Sequence, residues 1–298
     1  MCVLVISGET MSVAAPEVKF HAIGDTRLTY LDYGGEGPPL VMLHATGFLP
    51  WLWHPLARRL ASKYRVIAPA LYDHRPSDPY RGGLPWMQLA EDLKRLCVDL
   101  AIGNSILVGH SMGAAVATLA HAVLGLPTAK LVLIEPIFLP SDFYNVTFTV
   151  DQHPLAAKAV KRRNQWRDRE EARRDFRSKP FFQSWDPEVL DLYVEHGLSE
   201  DDGSGMRLTC PPLQEAALFI GGSHFDPWPA LPSVACPTLV VEGETSDNRP
   251  WINLRRVSEL IPQGHYAMVS GVGHLVPMEK PLETSRLIEA FLKGVPPG

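Results

Sequence analysis

Short runs that are apolar at every position, separated by segments with helical spacing, constrain this chain more than any other feature. Leu40-Val41-Met42-Leu43 is the first of them. A strand of that length without polar alternation is buried on both faces, which calls for a parallel sheet with helices above and below it. Residues 65–68, 105–108, 131–134 and 238–241 repeat the pattern. Between them Leu89, Leu93, Leu96, Cys97 and Leu100 recur at helical spacing, and residues 114–124 are rich in helix formers. With an opening strand pair at 18–23 and 27–33, the order is that of an α/β domain: a mostly parallel central sheet flanked by helices.

The rhythm breaks between residues 137 and 232, where Pro140, Pro154, Pro180, Pro187, Pro211 and Pro212 interrupt loops and amphipathic helices. It then resumes with a strand at 238–241, a helix at 250–261, a strand near 266–269 and a last helix at 279–292. The economical division is a core of residues 12–136 and 233–298 with a mainly helical unit, 137–232, inserted between the sixth and seventh strands. A chain of 298 residues with 46% apolar and 20% charged residues can bury such a core without disulfides or metals. Its net charge of -5 repels nucleic acid. The cysteines, Cys2, Cys97, Cys210 and Cys236, form no C-x-x-C pair, so no zinc or dithiol motif, no metal and no cofactor are expected, and reduced thiols in the cytoplasm are the simplest reading. The apolar start Met1 to Ile6 is too short and lacks the basic flank of a signal peptide, and residues 1–10 read as an extension outside the fold. No stretch is long enough to suggest a membrane span. The expected partner is a small-molecule substrate; the sequence leaves the oligomeric state open.

Gly109-His110-Ser111-Met112-Gly113 follows one buried run and opens an alanine-rich helix. This G-x-S-x-G string sits in a strand, turn, helix setting, where a Cβ at 109 or 113 would collide with neighbouring backbone. The turn lifts the Ser111 hydroxyl to a helix amino terminus, where developing negative charge is favoured. A serine hydroxyl needs a base, and the base needs an acid to orient it. His274 lies in a glycine-rich loop, Gly271-Val272-Gly273-His274, between the last strand and the last helix. Asp247 follows the strand ending near Val241, again at a strand end, where α/β sheets place functional side chains. Ser111, Asp247 and His274 run in the chain order that this elbow motif expects.

In combination these motifs resemble the α/β-hydrolase family with a cap, over residues 18–294. The resemblance implies the α/β-hydrolase fold, a Ser111, Asp247, His274 triad and an acyl-enzyme reaction, with Glu135, at the end of the 131–134 strand, as the competing acid because some family members place it there. His44-Ala45-Thr46-Gly47-Phe48 resembles the family's H-G-x-P segment and brings Trp53 onto a tryptophan often found nine residues after that histidine. By this match the backbone N–H groups of Thr46 and Met112 form the oxyanion hole; a two-residue shift would replace Thr46 by Phe48. Departures occur at residues 70–77, where His74 and Ser77 match the family's D-x-x-G-H-G-x-S but the acid and both glycines are missing. Serine at the elbow argues against the dehalogenases and epoxide hydrolases of this fold, which use aspartate there. Esters, thioesters and lactones remain, with carbon-carbon cleavage of ring-opened products as an alternative and a non-catalytic ligand-binding role as another.

The inserted segment is aromatic, with Phe181, Trp185, Tyr193 and Trp228 among others, which suits a partly aromatic substrate. Its charge is segregated: residues 158–179 hold ten basic and four acidic residues, and 186–202 hold seven acids and no Lys or Arg. A solvated helix face, a basic rim that steers an anionic substrate and a basic helix docked on the acidic segment all fit that pattern.

Overall fold

The apolar runs pair with one another. In a computed structural model, which describes residues 15–72, 74–203 and 205–295, the strands β1 (Glu17–Ile23), β2 (Thr26–Asp32), β3 (Pro39–Leu43), β4 (Arg65–Pro69), β5 (Ser105–His110) and β6 (Thr128–Ile134) precede the inserted segment. That segment carries two short strands, β7 (Leu198–Glu200) and β8 (Met206–Leu208), and β9 (Thr238–Gly243) and β10 (Gly264–Val269) follow it. Eight strands form one sheet in the order β1-β2-β4-β3-β5-β6-β9-β10. The first two pairings are antiparallel and the rest parallel. The chain has the α/β-hydrolase fold expected from its sequence.

Side-chain alternation explains why the central strands lack polar residues. Val41, Leu43, Leu107, Leu131, Leu133 and Val240 face one apolar layer, and Leu40, Met42, Val108, Val132, Ile134, Leu239 and Val241 face the other. The helices supply the covers. Helix α1 (His54–Leu60) adds Leu56 and Leu60 to the second layer. Helices α2 (Trp86–Asp99) and α3 (Met112–Ala122) cover the first through Leu89, Leu93, Leu96, Val116 and Leu119.

Helices α4 (Pro154–Ala159), α5 (Arg169–Ser178), α6 (Pro180–Gln183), α7 (Pro187–His196) and α8 (Pro212–Gly221) occupy the inserted segment. Its Trp166, Phe176, Trp185 and Tyr193 belong to the same continuous apolar layer as Phe48 and Leu43. After it come α9 (Leu254–Leu260), α10 (Val276–Glu279) and α11 (Pro281–Leu292), the last returning Ile288 and Phe291 to the second layer. The antiparallel pair β7-β8 was not legible in the sequence, which read this segment as loops and helices. The amino-terminal run, the start of the core at residue 12 and Asp73 lie outside the described residues. Cys97, Cys210 and Cys236 are buried and form no disulfide among the described residues. No helix among the described residues is long and apolar enough to cross a membrane.

The turn from β5 into α3 needs both of its glycines. A Cβ on Gly109 would lie 2.5 Å from the backbone of Ala114, and one on Gly113 would lie 2.2 Å from the carbonyl oxygen of Leu43 on β3. Neither neighbour can rotate away, because both are main chain. Gly113→Ala is therefore expected to destabilise the fold by about 1–3 kcal/mol or more, the scale of core overpacking. Urea unfolding of wild type and variant measures this, and unchanged stability would show that the elbow has room the packing denies it.

Candidate active site

The ends of four parallel strands deliver the site. Ser111 follows β5 with φ 56° and ψ −117°, a left-handed backbone for a residue with a side chain. Its N–H donates to the carbonyl of Ile134 at the end of β6 (2.9 Å), and its carbonyl receives the N–H groups of Ala114 and Ala115. The hydroxyl lies 3.0 Å from His274 Nε2. On the far side of the ring, His274 Nδ1 lies 3.0 Å from Glu135 Oε2. The glutamate is almost fully buried while the histidine keeps a quarter of its side chain exposed.

Glu135 is held from every direction. It too is left-handed, with φ 47°, and its N–H donates to Val241 on β9 (2.8 Å). Oε1 accepts the N–H of Gly243 at 2.7 Å, and Oε2 accepts the Ser246 hydroxyl at 2.7 Å. A carboxylate with these donors stands ready for the Nδ1 proton of His274, which fixes the ring so that Nε2 faces the serine as an acceptor. The Asn248 amide also reaches Nδ1, at 2.8 Å. A protonated Nδ1 has no lone pair for an amide N–H, so the chemistry of that contact calls for the amide oxygen.

Asp247, the acid expected from the sequence, does not meet His274. It is exposed and makes no hydrogen bond or ion pair with the ring. The turn after β9 explains the difference. Ser246 N–H bonds back to Gly243 and Arg249 N–H to Ser246, so Ser246 points inward, Asp247 outward and Asn248 in again. The structure brings together Ser111, His274 and Glu135, the competing acid, and leaves Asp247 in solvent.

The segment after β3 is fixed by His44, which is wholly buried. Its Nδ1 pairs with the Ala45 carbonyl at 2.8 Å, and its Nε2 accepts the N–H of Leu71 at 2.8 Å. Burial, aided by the nearby His74 and opposed by the Ala45 carbonyl, pulls the His44 pKa down to about 4. Of the two N–H groups the sequence left open, that of Phe48 is committed to Ala45 O (3.2 Å), while that of Thr46 has no acceptor among the described residues. Met112 takes the first helical position of α3, where an N–H has no intrahelical partner. The loop that departs from the family pattern is tied by charge instead of glycine: His74 Nε2 lies 2.9 Å from Asp92, and Arg75 grips the same carboxylate at 2.6 and 2.8 Å. Burial opposes the Asp92 charge, but these two partners more than offset it and keep its pKa below the ordinary value.

Sequence reasoning missed His110, the residue just before the elbow serine. Its Nε2 lies 2.9 Å from the carbonyl oxygen of His274, and burial, with the His274 charge adding to it, pushes its pKa well below the usual histidine range. A neutral His110 therefore donates to the His274 backbone. Asn248 was missed as well, since an amide beside an aspartate carries no signal of its own.

The inserted segment closes on the β3 side. Phe48 packs edge-on against Trp185 and Tyr193, with ring centroids 5.4 and 6.2 Å apart, and Trp51 stacks on His196 at 3.7 Å. Arg162 bonds Glu215 at 2.5 Å and the Tyr193 hydroxyl at 3.1 Å. The basic stretch is largely spent in ion pairs. Arg163 meets Glu171 at 2.5 Å, Lys179 meets Asp175 at 2.7 Å, Arg174 meets Glu170 at 3.4 Å, and Arg173 and Arg177 both reach Asp191 of the acidic segment.

Residues 40–287 match the profile of the alpha/beta hydrolase family. The chain belongs to the alpha/beta hydrolase family. Among curated relatives of this α/β-hydrolase, an uncharacterized protein of Mycobacterium tuberculosis is 27% identical over 148 residues, 50% of this chain and 43% of that protein, so the match spans less than half the relative's length. The 2-(acetamidomethylene)succinate hydrolase of Mesorhizobium japonicum is 28% identical over 261 residues, 87% of this chain and 89% of the relative. The crystal structure of E-2-(acetamidomethylene)succinate hydrolase superposes with a TM-score of 0.79 at 24% identity, covering 93% of this chain and 99% of the other chain, a likeness of fold.

The buried neutral His44 has a consequence for stability. Its folded pKa of about 4 lies below the ordinary histidine value of 6.5, so on acidification the unfolded chain takes up the proton first. The stabilisation is complete above the unfolded pKa and is lost as pH falls toward the folded one. From this group alone, unfolding free energy is expected to drop by roughly 2 kcal/mol between about pH 7.5 and about pH 5. Urea unfolding at both pH values checks this, and His44→Gln should flatten the slope by that amount.

Proposed function

We propose that this α/β-hydrolase is a serine hydrolase that cleaves an ester-type bond (ester, thioester or lactone) of a small, partly aromatic molecule. The single observation that carries the reading is the relay from Ser111 Oγ to His274 Nε2 and from His274 Nδ1 to Glu135, at 3.0 Å each. In this reaction His274 takes the Ser111 proton as the hydroxyl oxygen attacks the acyl carbon. The carbonyl oxygen, now negative, accepts from the N–H groups of Thr46 and Met112 at the amino end of α3. Collapse of the tetrahedral adduct expels the alcohol or thiol, to which His274 returns the proton. Water then enters, its oxygen attacks the acyl carbon as His274 takes its proton, and collapse of this second adduct breaks the bond to Ser111 Oγ, which receives the proton from His274 as the acid product leaves. Glu135 keeps the tautomer and stabilises the imidazolium without taking the proton.

Glu135 replaces Asp247 in this assignment. Residues 137–232 act as the cap, and the aromatic contacts of Phe48 with Trp185 and Tyr193 support a substrate with apolar surface. The likeness to a small-molecule hydrolase over 87% of the chain agrees with that scale of substrate. The carbon-carbon alternative uses the same relay and drew added support from a basic rim suited to anionic substrates, and the ion pairs of Arg163, Arg173, Arg174 and Lys179 weaken that support.

Ser111→Ala is expected to leave folding intact and to lower kcat on any accepted ester by at least about 10³-fold. Glu135→Gln should cost roughly 10³- to 10⁴-fold by mis-setting the histidine tautomer, and Asp247→Asn less than about twofold. Steady-state kinetics of the three variants beside circular dichroism decide this; a crippled Asp247→Asn with a healthy Glu135→Gln would return the acid role to the aspartate.

With the basic stretch paired, an anionic and a neutral ester of equal size should show parallel changes in kcat/KM as ionic strength rises from about 0.01 M to about 0.15 M, a range over which the Debye length shortens from roughly 30 to 8 Å. A selective loss for the anionic ester would reveal steering by uncompensated charge.

A further inference from the structure

Glu215 on α8 is a half-buried carboxylate with only one of its oxygens hydrogen-bonded among the described residues. Its side chain is 12% exposed, and Oε2 accepts from Arg162 at 2.5 Å. Oε1 has no hydrogen-bond partner among the described residues, and it is not sealed from solvent, so it is open to a donor. The position of that oxygen is informative. A Cβ built on Gly47 would lie 2.6 Å from Glu215 Oε1 and 2.7 Å from its carboxyl carbon, so the carboxylate rests against the backbone one residue beyond Thr46. Tyr193, which accepts the other arm of Arg162, packs its ring against Phe48 on the same loop. An unfilled acceptor thus stands beside the loop that carries the free Thr46 N–H, next to an aromatic wall.

We propose that Glu215 Oε1 is a specificity determinant: it accepts a hydrogen bond from a hydroxyl or N–H that the substrate carries a few bonds from the scissile carbonyl. This rests on the serine-hydrolase reading above. The Arg162 charge balances the carboxylate, so the pair calls for a neutral donor rather than a cation. The substrate class that follows is esters, thioesters or lactones bearing a hydroxyl or a secondary amide near the reacting carbonyl, in place of plain hydrocarbon acyl chains.

Two pairs of butanoate-type esters test it, with kcat/KM as the readout. One pair differs on the acyl side, p-nitrophenyl 3-hydroxybutanoate against p-nitrophenyl 3-methoxybutanoate. The other differs on the alcohol side, 2-hydroxyethyl butanoate against 2-methoxyethyl butanoate. Wild type is expected to favour the hydroxyl member of at least one pair by roughly 10-fold or more, the scale of a hydrogen bond to a charged group. In Glu215→Gln the amide carbonyl must face Arg162, whose guanidinium offers only donors, so an NH₂ group takes the place of Oε1. The preference should then vanish or turn toward the ether. Glu215→Asp, which withdraws the carboxylate by one methylene, should also lose it and serves should the first variant not fold.

A wild-type ratio near one in both pairs, or a hydroxyl preference that survives in both variants, overturns the role of Glu215 while leaving Ser111-dependent turnover in place. Absence of turnover on all four esters, or turnover untouched by Ser111→Ala, overturns the serine-hydrolase reading and this inference with it.

Discussion

The hydrogen-bond ladder of the parallel sheet runs one residue past the strand ends, and the site hangs on that overrun. Ser111 N–H donates to Ile134 O, and the next residue along, Glu135, donates its own N–H to Val241 O. Serine and glutamate are thereby fixed to adjacent strands by main chain, before any side chain is considered. Both residues pay with a left-handed backbone, at φ 56° and 47°. The strain persists because the flanking geometry leaves no relaxed alternative: the Gly113 Cα abuts the Leu43 carbonyl, and the Glu135 carboxylate is held by Gly243 and Ser246. His274 needs only to bridge two points whose separation is already set, and the His110 bond to its carbonyl helps to hold the loop that brings it there.

Much of this was legible in the sequence because it depends on local rules. Continuous apolar runs gave the two-faced sheet, and the glycines around Ser111 gave the elbow, since tight main-chain contact admits no side chain there. His274 followed from its glycine-rich loop. Which carboxylate meets His274 did not follow, and the reason is geometric. Asp247 and Glu135 both stand just past strand ends, and choosing between them requires the phase of a short turn, in which Ser246 and Asn248 face inward and Asp247 outward. A one-residue phase is beyond what composition or spacing encodes. The left-handed φ of Glu135 was equally hidden, since glutamate rarely adopts it.

The charges of the inserted segment teach the same lesson from the other side. Ten basic residues in residues 158–179 look like a field when read along the chain. Folded, Arg173 and Arg177 converge on Asp191 of α7, and Arg163 and Lys179 on Asp175 within α5. Exposed pairs of this kind add little stability singly. What they do is cancel the long-range potential, leaving short-range hydrogen bonding and aromatic contact to discriminate among ligands.

Gly47 and Glu215 share one small volume, and that links two positions far apart in the chain. Any side chain at 47 would occupy the space of the carboxyl group, and φ 74° there disfavours one in any case. A lineage of this chain that gained a side chain at 47 would need the glutamate at 215 to shorten or turn away. Once it did, Arg162 would lose its acid, and Tyr193 would be left to hold the guanidinium alone. Drift at one glycine of the β3 loop is therefore coupled through packing to the polarity of the inserted segment, and the order in which substitutions can accumulate is restricted by contact rather than by chemistry.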